Sequence, residues 1–135
     1  MQRVVRLVTV AEVAEPVEAR DIAVSARHEA VLEDGSRVLL LDGRGWTESL
    51  RGPGAYEVDD LWALTQERQV VETARTVVGP DEPFGGRTQE DMEAGHWETL
   101  AETLRAHGVA VDAGELRGLP HDVELSDRLR ARLGG

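Results

Sequence analysis

Apolar and polar positions alternate along the first third of the chain and turn helical after it. Ile22, Val24, Ala26, His28, Ala30 and Leu32 share one parity, while Ala23, Ser25, Arg27, Glu29, Val31 and Glu33 share the other. A period of two with one apolar face predicts a half-buried β-strand. Asp34-Gly35 comes next, then Val38-Leu39-Leu40-Leu41. Asp-Gly between apolar runs predicts a hairpin with a two-residue turn and positive φ at both central residues. In that register His28 lies across from Leu41. Residues 3–13 are Val-rich and predict a further strand, with residues 11–15 reading equally well as helix and Pro16 in the connection. Residues 42–56 (DGRGWTESLRGPGAY) read as a Gly-rich loop carrying Trp46.

From residue 59 to 78, a wheel of 100° per residue gathers Ala63, Leu64, Val70, Val71, Ala74, Val77 and Val78 into one arc, which predicts an amphipathic helix stopped by Gly79-Pro80. Residues 79–87 (GPDEPFGGR) read as a loop. Thr88 followed by Glu90 and Asp91 has the chemistry of a helix start, and Ala94, Trp97, Leu100, Ala101 and Leu104 form the stripe of a second helix capped by Gly108. Residues 112–117 suit a short helix ended by Gly118. A last helix is expected from Ser126, with Arg128, Arg130 and Arg132 where the helix dipole favours cations. Strands first and helices after predict an α+β fold: a small N-terminal antiparallel sheet packed against two main helices and a short C-terminal one. One domain over residues 1–135 is expected, β-rich in 1–45 and helical in 56–135, because the first part alone buries too little apolar surface.

Composition narrows the functional classes. Without cysteine the chain has no thiolate nucleophile, disulfide or Cys-ligated zinc. Every basic residue is Arg, and Lys and Asn are absent. That bias fits a G+C-rich genome and excludes lysine chemistry. No stretch approaches the roughly 20 apolar residues of a membrane span, and no signal-peptide core is evident, so a cytoplasmic protein is expected. The net charge is −11, placed unevenly: nine acids against seven arginines in residues 1–54, seventeen against eight in residues 55–135. A field of that sign repels nucleic acid and anionic membranes, and suits a basic protein partner.

Candidate chemistry is sparse. Glu67 falls within the apolar arc of the first helical pattern, where a carboxylate must be paired, protonated or facing a polar cavity. The same position is ordinary if the helix starts later, kinks near Gln66, or supplies an arginine pair. Glu93 and His96 form a Glu-x-x-His pair on one helix face, the spacing of a carboxylate–histidine metal or acid–base pair, though with one copy only. His28 reads as a core or sheet-edge histidine. His107 is a helix-end cap roughly 16 Å along the helix from His96, and His121 is a loop residue with no partner in view. Phe84-Gly85-Gly86-Arg87 has the makings of an anion cradle, opposed by Glu90 and Asp91. Trp46 is either an exposed partner-binding anchor or a Trp folded back over the sheet.

No nucleotide, flavin or metal-cluster motif is present, so no cofactor is implied. The expectation is an acidic interaction module of the inhibitor, immunity or regulatory kind. The alternative is a small-molecule binder or enzyme with a pocket built on Glu67, Glu93 and His96. A homo-oligomer through the Val arc of the first helix is compatible with either.

Overall fold

The computed structural model describes residues 2–49 and 57–134. Three antiparallel strands form the body of the sheet: β1 (Val4–Val13), β2 (Asp21–Leu32) and β3 (Arg37–Ser49). A fourth strand, β4 (His121–Leu125), lies parallel to β1, giving the order β3-β2-β1-β4. The helices are α1 (Glu67–Val77), α2 (Gln89–Ala106), α3 (Ala113–Arg117) and α4 (Asp127–Arg132), with a 3-10 turn at Trp62–Leu64 before α1. The fold class is α+β, as the order of patterns predicts.

Residues 11–13 are strand, so the helical reading of that stretch is not taken up. The β2–β3 turn differs from the expected one. Val31 pairs with Arg37, and Leu32 N–H donates to the Ser36 carbonyl, which leaves three residues in the loop. Only Gly35 there has positive φ, at 87°. A bulge at Leu40 then restores His28 to its place opposite Leu41. A second irregularity, where Asp42 and Gly43 oppose Arg27 alone, sets Arg44 opposite Ala26 and Trp46 opposite Val24. Gly43 has φ of 71°, a conformation that side chains with a Cβ disfavour. The strand therefore runs through the glycines read as a loop, as far as Ser49. Residues 50–56 of that predicted loop lie outside the described residues.

The two bulges act together on the facing of β3. The first inverts it, so that Leu41 lies over His28, and the second restores it, because each slip of one residue reverses every side chain. Leu41, Arg44 and Trp46 therefore all point toward the helices. Among the described residues the opposite face carries no helix, and it is laced with ion pairs. Arg37 holds Glu124 with two bonds of 3.0 Å and Glu29 at 3.2 Å, and Arg6 holds Asp122 at 3.3 Å. Val8, in register between Glu29 and Asp122 on that face, is fully buried.

Two apolar clusters fill the space under the helices. One joins Leu7, Ala30 and Leu40 to Leu100, Ala101 and Leu104 of α2, and to Leu116 of α3. The other joins Ala11, Val13 and Val24 to Trp62, to Val70 and Ala74 of α1, and to Leu129 of α4. The register row between them carries His28 and Thr9. The helix starts are made locally, as their residues predict: Thr88 Oγ1 accepts from Asp91 N–H, Asp112 Oδ1 from Glu115 N–H and Ser126 Oγ from Leu129 N–H. Among the described residues no helix is long and apolar enough to cross a membrane.

Candidate functional site

The row between the two clusters is polar and buried. Thr9 Oγ1 lies 3.1 Å from His28 Nδ1 and 2.6 Å from His121 Nε2, with the two rings edge to face at 4.8 Å between centroids. A hydroxyl donates one proton, so one imidazole accepts from Thr9 and the other donates to it. His28 is 1% exposed. Burial, reinforced by His121 and His96, pushes its pKa from 6.5 down to about 3. His121 is lowered as well, by burial and by Arg75 on α1, with Asp122 opposing. His96 is lowered by burial and by Arg44, with Asp81 opposing. All three imidazoles are thus lowered below the ordinary value, each by desolvation first.

The residues around His121 suggest a loop histidine without a partner. It is instead the first residue of β4, and pairing with Leu7 turns it onto the helix face beside Thr9. The signal for β4 is present in His121-Asp122-Val123-Glu124-Leu125, which alternates between Pro120 and Ser126.

His96, on α2, faces a cavity of about 290 Å³ walled by Leu41 and Arg44 of β3, Asp81, Phe84 and Arg87 of the loop between α1 and α2, and Met92, Thr99 and Leu100 of α2. Arg44 donates to the Val77 carbonyl at the end of α1 (3.3 Å) and to Asp81 (3.2 Å). Arg87 stacks on Phe84, its guanidinium 5.1 Å from the ring centroid. The Phe84-Gly85-Gly86-Arg87 segment therefore brings a side chain to this cavity.

The carboxylates singled out by the sequence do not join His96. Glu67 stays in line with Val70, Val71 and Ala74 but is not enclosed: the chain is extended at Thr65 and Gln66, so Glu67 is the first residue of α1, at the open end of that face. Its side chain is 39% exposed and paired with Arg130 at 3.0 Å. Of the alternatives, the later helix start and the arginine pair both hold. Glu67→Gln is therefore expected to change stability by less than about 1 kcal/mol, in line with exposed ion pairs, as a urea melt would read. A loss above about 2 kcal/mol would mean the residue is more deeply engaged than this geometry allows. Glu93 is held by Arg117 of α3 at 2.9 Å. Among the described residues no group of three or more His, Asp or Glu is arranged to hold a metal ion. His107 caps α2, its Nδ1 2.8 Å from the Thr103 carbonyl.

Trp46 is half-buried against the second apolar cluster, so it is folded back over the sheet. It still walls a groove of about 410 Å³ between β3 and α1, shared with Ile22, Leu61, Leu64, Val70, Glu48 and Glu72. Leu64 is 64% exposed there. Sequence reasoning missed Thr9 and Arg44 as site residues, whereas Arg87 belongs to the segment that reads as an anion cradle. Arg44 was hidden because the glycines on either side of it read locally as a loop rather than as strand. No protein-family model, characterised protein or solved structure matches this chain.

Proposed function

We propose that the protein is an acidic docking module that takes an extended, basic segment of a partner protein along the outer edge of β3. The observation that carries this reading is the Trp46 groove. Its floor is apolar, formed by Trp46, Leu61 and Leu64, and its rim carries Glu48 and Glu72, neither ion-paired among the described residues. Beside it the run Arg44–Ser49 pairs regularly with β2, and among the described residues no strand pairs with the other edge of β3. An added strand would gain main-chain hydrogen bonds there, place alternate apolar side chains over Trp46, and bring arginine or lysine to the two glutamates.

The charge distribution supports the same polarity. Nine arginines are tied to carboxylates in ion pairs, so the cationic charge is largely neutralised within the molecule while a net charge of −11 remains. Such a field accelerates encounter with a basic partner and weakens with salt.

A short synthetic peptide of alternating Arg and Val is the probe. It is expected to shift the Trp46 indole resonance, with affinity falling about tenfold or more between low and physiological salt. Glu48→Gln and Glu72→Gln should each weaken it severalfold. Equal binding of a peptide with Asp in place of Arg, or an unmoved Trp46 resonance, would overturn the reading.

A further inference from the structure

We propose that the cavity beside His96 is a second, separate site, and that it binds a small planar carboxylate: a single aromatic or heteroaromatic ring bearing one acidic group. The walls supply the two halves of such a ligand. Leu41, Met92 and Leu100 are apolar, and Phe84, 59% exposed, offers a ring face at the mouth. About 290 Å³ is near the small end of ligand pockets, room for one ring and its substituent.

The sign of the ligand charge follows from which polar groups are already committed. Of the two carboxylates lining the cavity, Asp81 is bound by Arg44, and Asp91 accepts the Thr88 amide at the start of α2. Arg87 has no carboxylate partner among the described residues; it only stacks on Phe84. The ring nitrogens of His96 likewise make no hydrogen bond among the described residues. The free donors facing the space are therefore cationic or imidazole, and a planar carboxylate matches the guanidinium fork of Arg87.

Two further features mark this cavity as built. β3 carries two bulges within four residues at a cost to ladder pairing, and their joint effect is to put Leu41 on the same, cavity side as Arg44; bulges commonly re-aim side chains at functional sites. Behind His96, within its electrostatic reach, sits the buried Thr9–His28–His121 row, which interrupts an otherwise apolar core. Buried polar groups of this kind, kept neutral under an opening, cluster at ligand sites.

The test uses three ring probes of one shape and different charge: benzoate, benzamide and benzamidine, followed through the His96 Cε1–H resonance. Benzoate is expected to shift that resonance with a Kd on the order of 1 mM or tighter, the range open to a ligand of about nine heavy atoms. It should also move the His96 titration upward, since a bound anion favours the imidazolium. Benzamide should bind about tenfold more weakly. Arg87→Gln, on an exposed loop and so neutral for folding, should reduce benzoate binding about tenfold. Benzamidine binding as tightly as benzoate would overturn the choice of an anion. Inorganic phosphate producing the same shift would overturn the ring. No shift with benzoate at about 10 mM would overturn the site itself. None of these outcomes depends on the Trp46 groove, which the peptide experiment reads separately.

Discussion

Acidification from pH 7 to pH 4 is expected to remove about 3 kcal/mol of folding free energy through His28 alone. His28 is lowered to about 3 in the folded protein from an ordinary value of 6.5. Below 6.5 the unfolded chain takes up a proton at this position and the folded one does not. Protons then drive unfolding, and stability falls as pH falls through the interval from about 6.5 toward 3. Each unit within that interval is worth about 1.4 kcal/mol for one group. His96 and His121 are lowered as well and add to the loss with the same sign. Glu12 and Glu124 also titrate low, but their losses begin only below their ordinary value of 4.5, so the window between pH 6.5 and 5 belongs to the histidines. Urea melts at steps through that window would measure the slope. His28→Gln should remove about one proton from it, while Thr9→Val, which strips both imidazoles of their shared hydroxyl, should cost about 2 kcal/mol already at pH 7. A stability that stays flat from pH 7 to 5 would contradict the burial and pairing of this row.

The second large effect is expected at Trp62. Trp62→Ala should destabilise the protein by about 3–5 kcal/mol, a large share of the roughly 5–15 kcal/mol that holds a domain together. The ring is 0% exposed and packed with Val70, Ala74 and Leu129. Its Nε1–H donates to the Glu18 carbonyl at 2.8 Å, and the Arg132 guanidinium lies 5.6 Å from the ring centroid. The side chain thus ties the β1–β2 connection, the 3-10 turn and α4 together. Trp62→Phe keeps most of the packing and loses the hydrogen bond, so about 1–2 kcal/mol is expected and the variant should remain folded enough to measure. A denaturation midpoint for Trp62→Ala that matches the parent would show that the second cluster is not the one described. Because Leu61 and Leu64 flank Trp62 and line the Trp46 groove, Trp62→Ala should also abolish the peptide-induced shift of Trp46, whereas Trp62→Phe should preserve it.

The two effects share a physical origin. The core is divided into an α2 half and an α1 half by a polar row, and each half is small. Loss of the largest ring in one half, or charge introduced into the row between them, removes stability that the other half does not replace. Both candidate sites open beside that division: the Trp46 groove at the α1 half, the His96 cavity at the α2 half.

Features carried by neighbours in the chain are legible in the amino-acid sequence itself. The alternation of residues 22–33, the start of α2 at Thr88, α3 after Asp112, α4 after Ser126 and the α+β class follow from periodicity and capping chemistry, which operate over a few residues. His28 on the apolar face opposite Leu41 is legible for the same reason. Other features depend on what lies far away. Glu67 looks misplaced because a wheel drawn over residues 59–78 assumes one continuous helix and so encloses it between Ala63 and Leu64 on one side and Val71 and Ala74 on the other. The chain instead breaks at Thr65 and Gln66 while Trp62 enters the core, and Arg130 answers the charge from more than sixty residues on. β4 is only five residues and has meaning only against β1. That Leu41 and Arg44 share one face turns on the two bulges of β3, because a strand's faces exchange with every one-residue slip. The sequence by itself determined most of the elements and the acidity. Only the tertiary structure decided which side chains meet, since Thr9, His28 and His121, or Arg44 and His96, are joined by sheet register and helix packing across distances that no local pattern records.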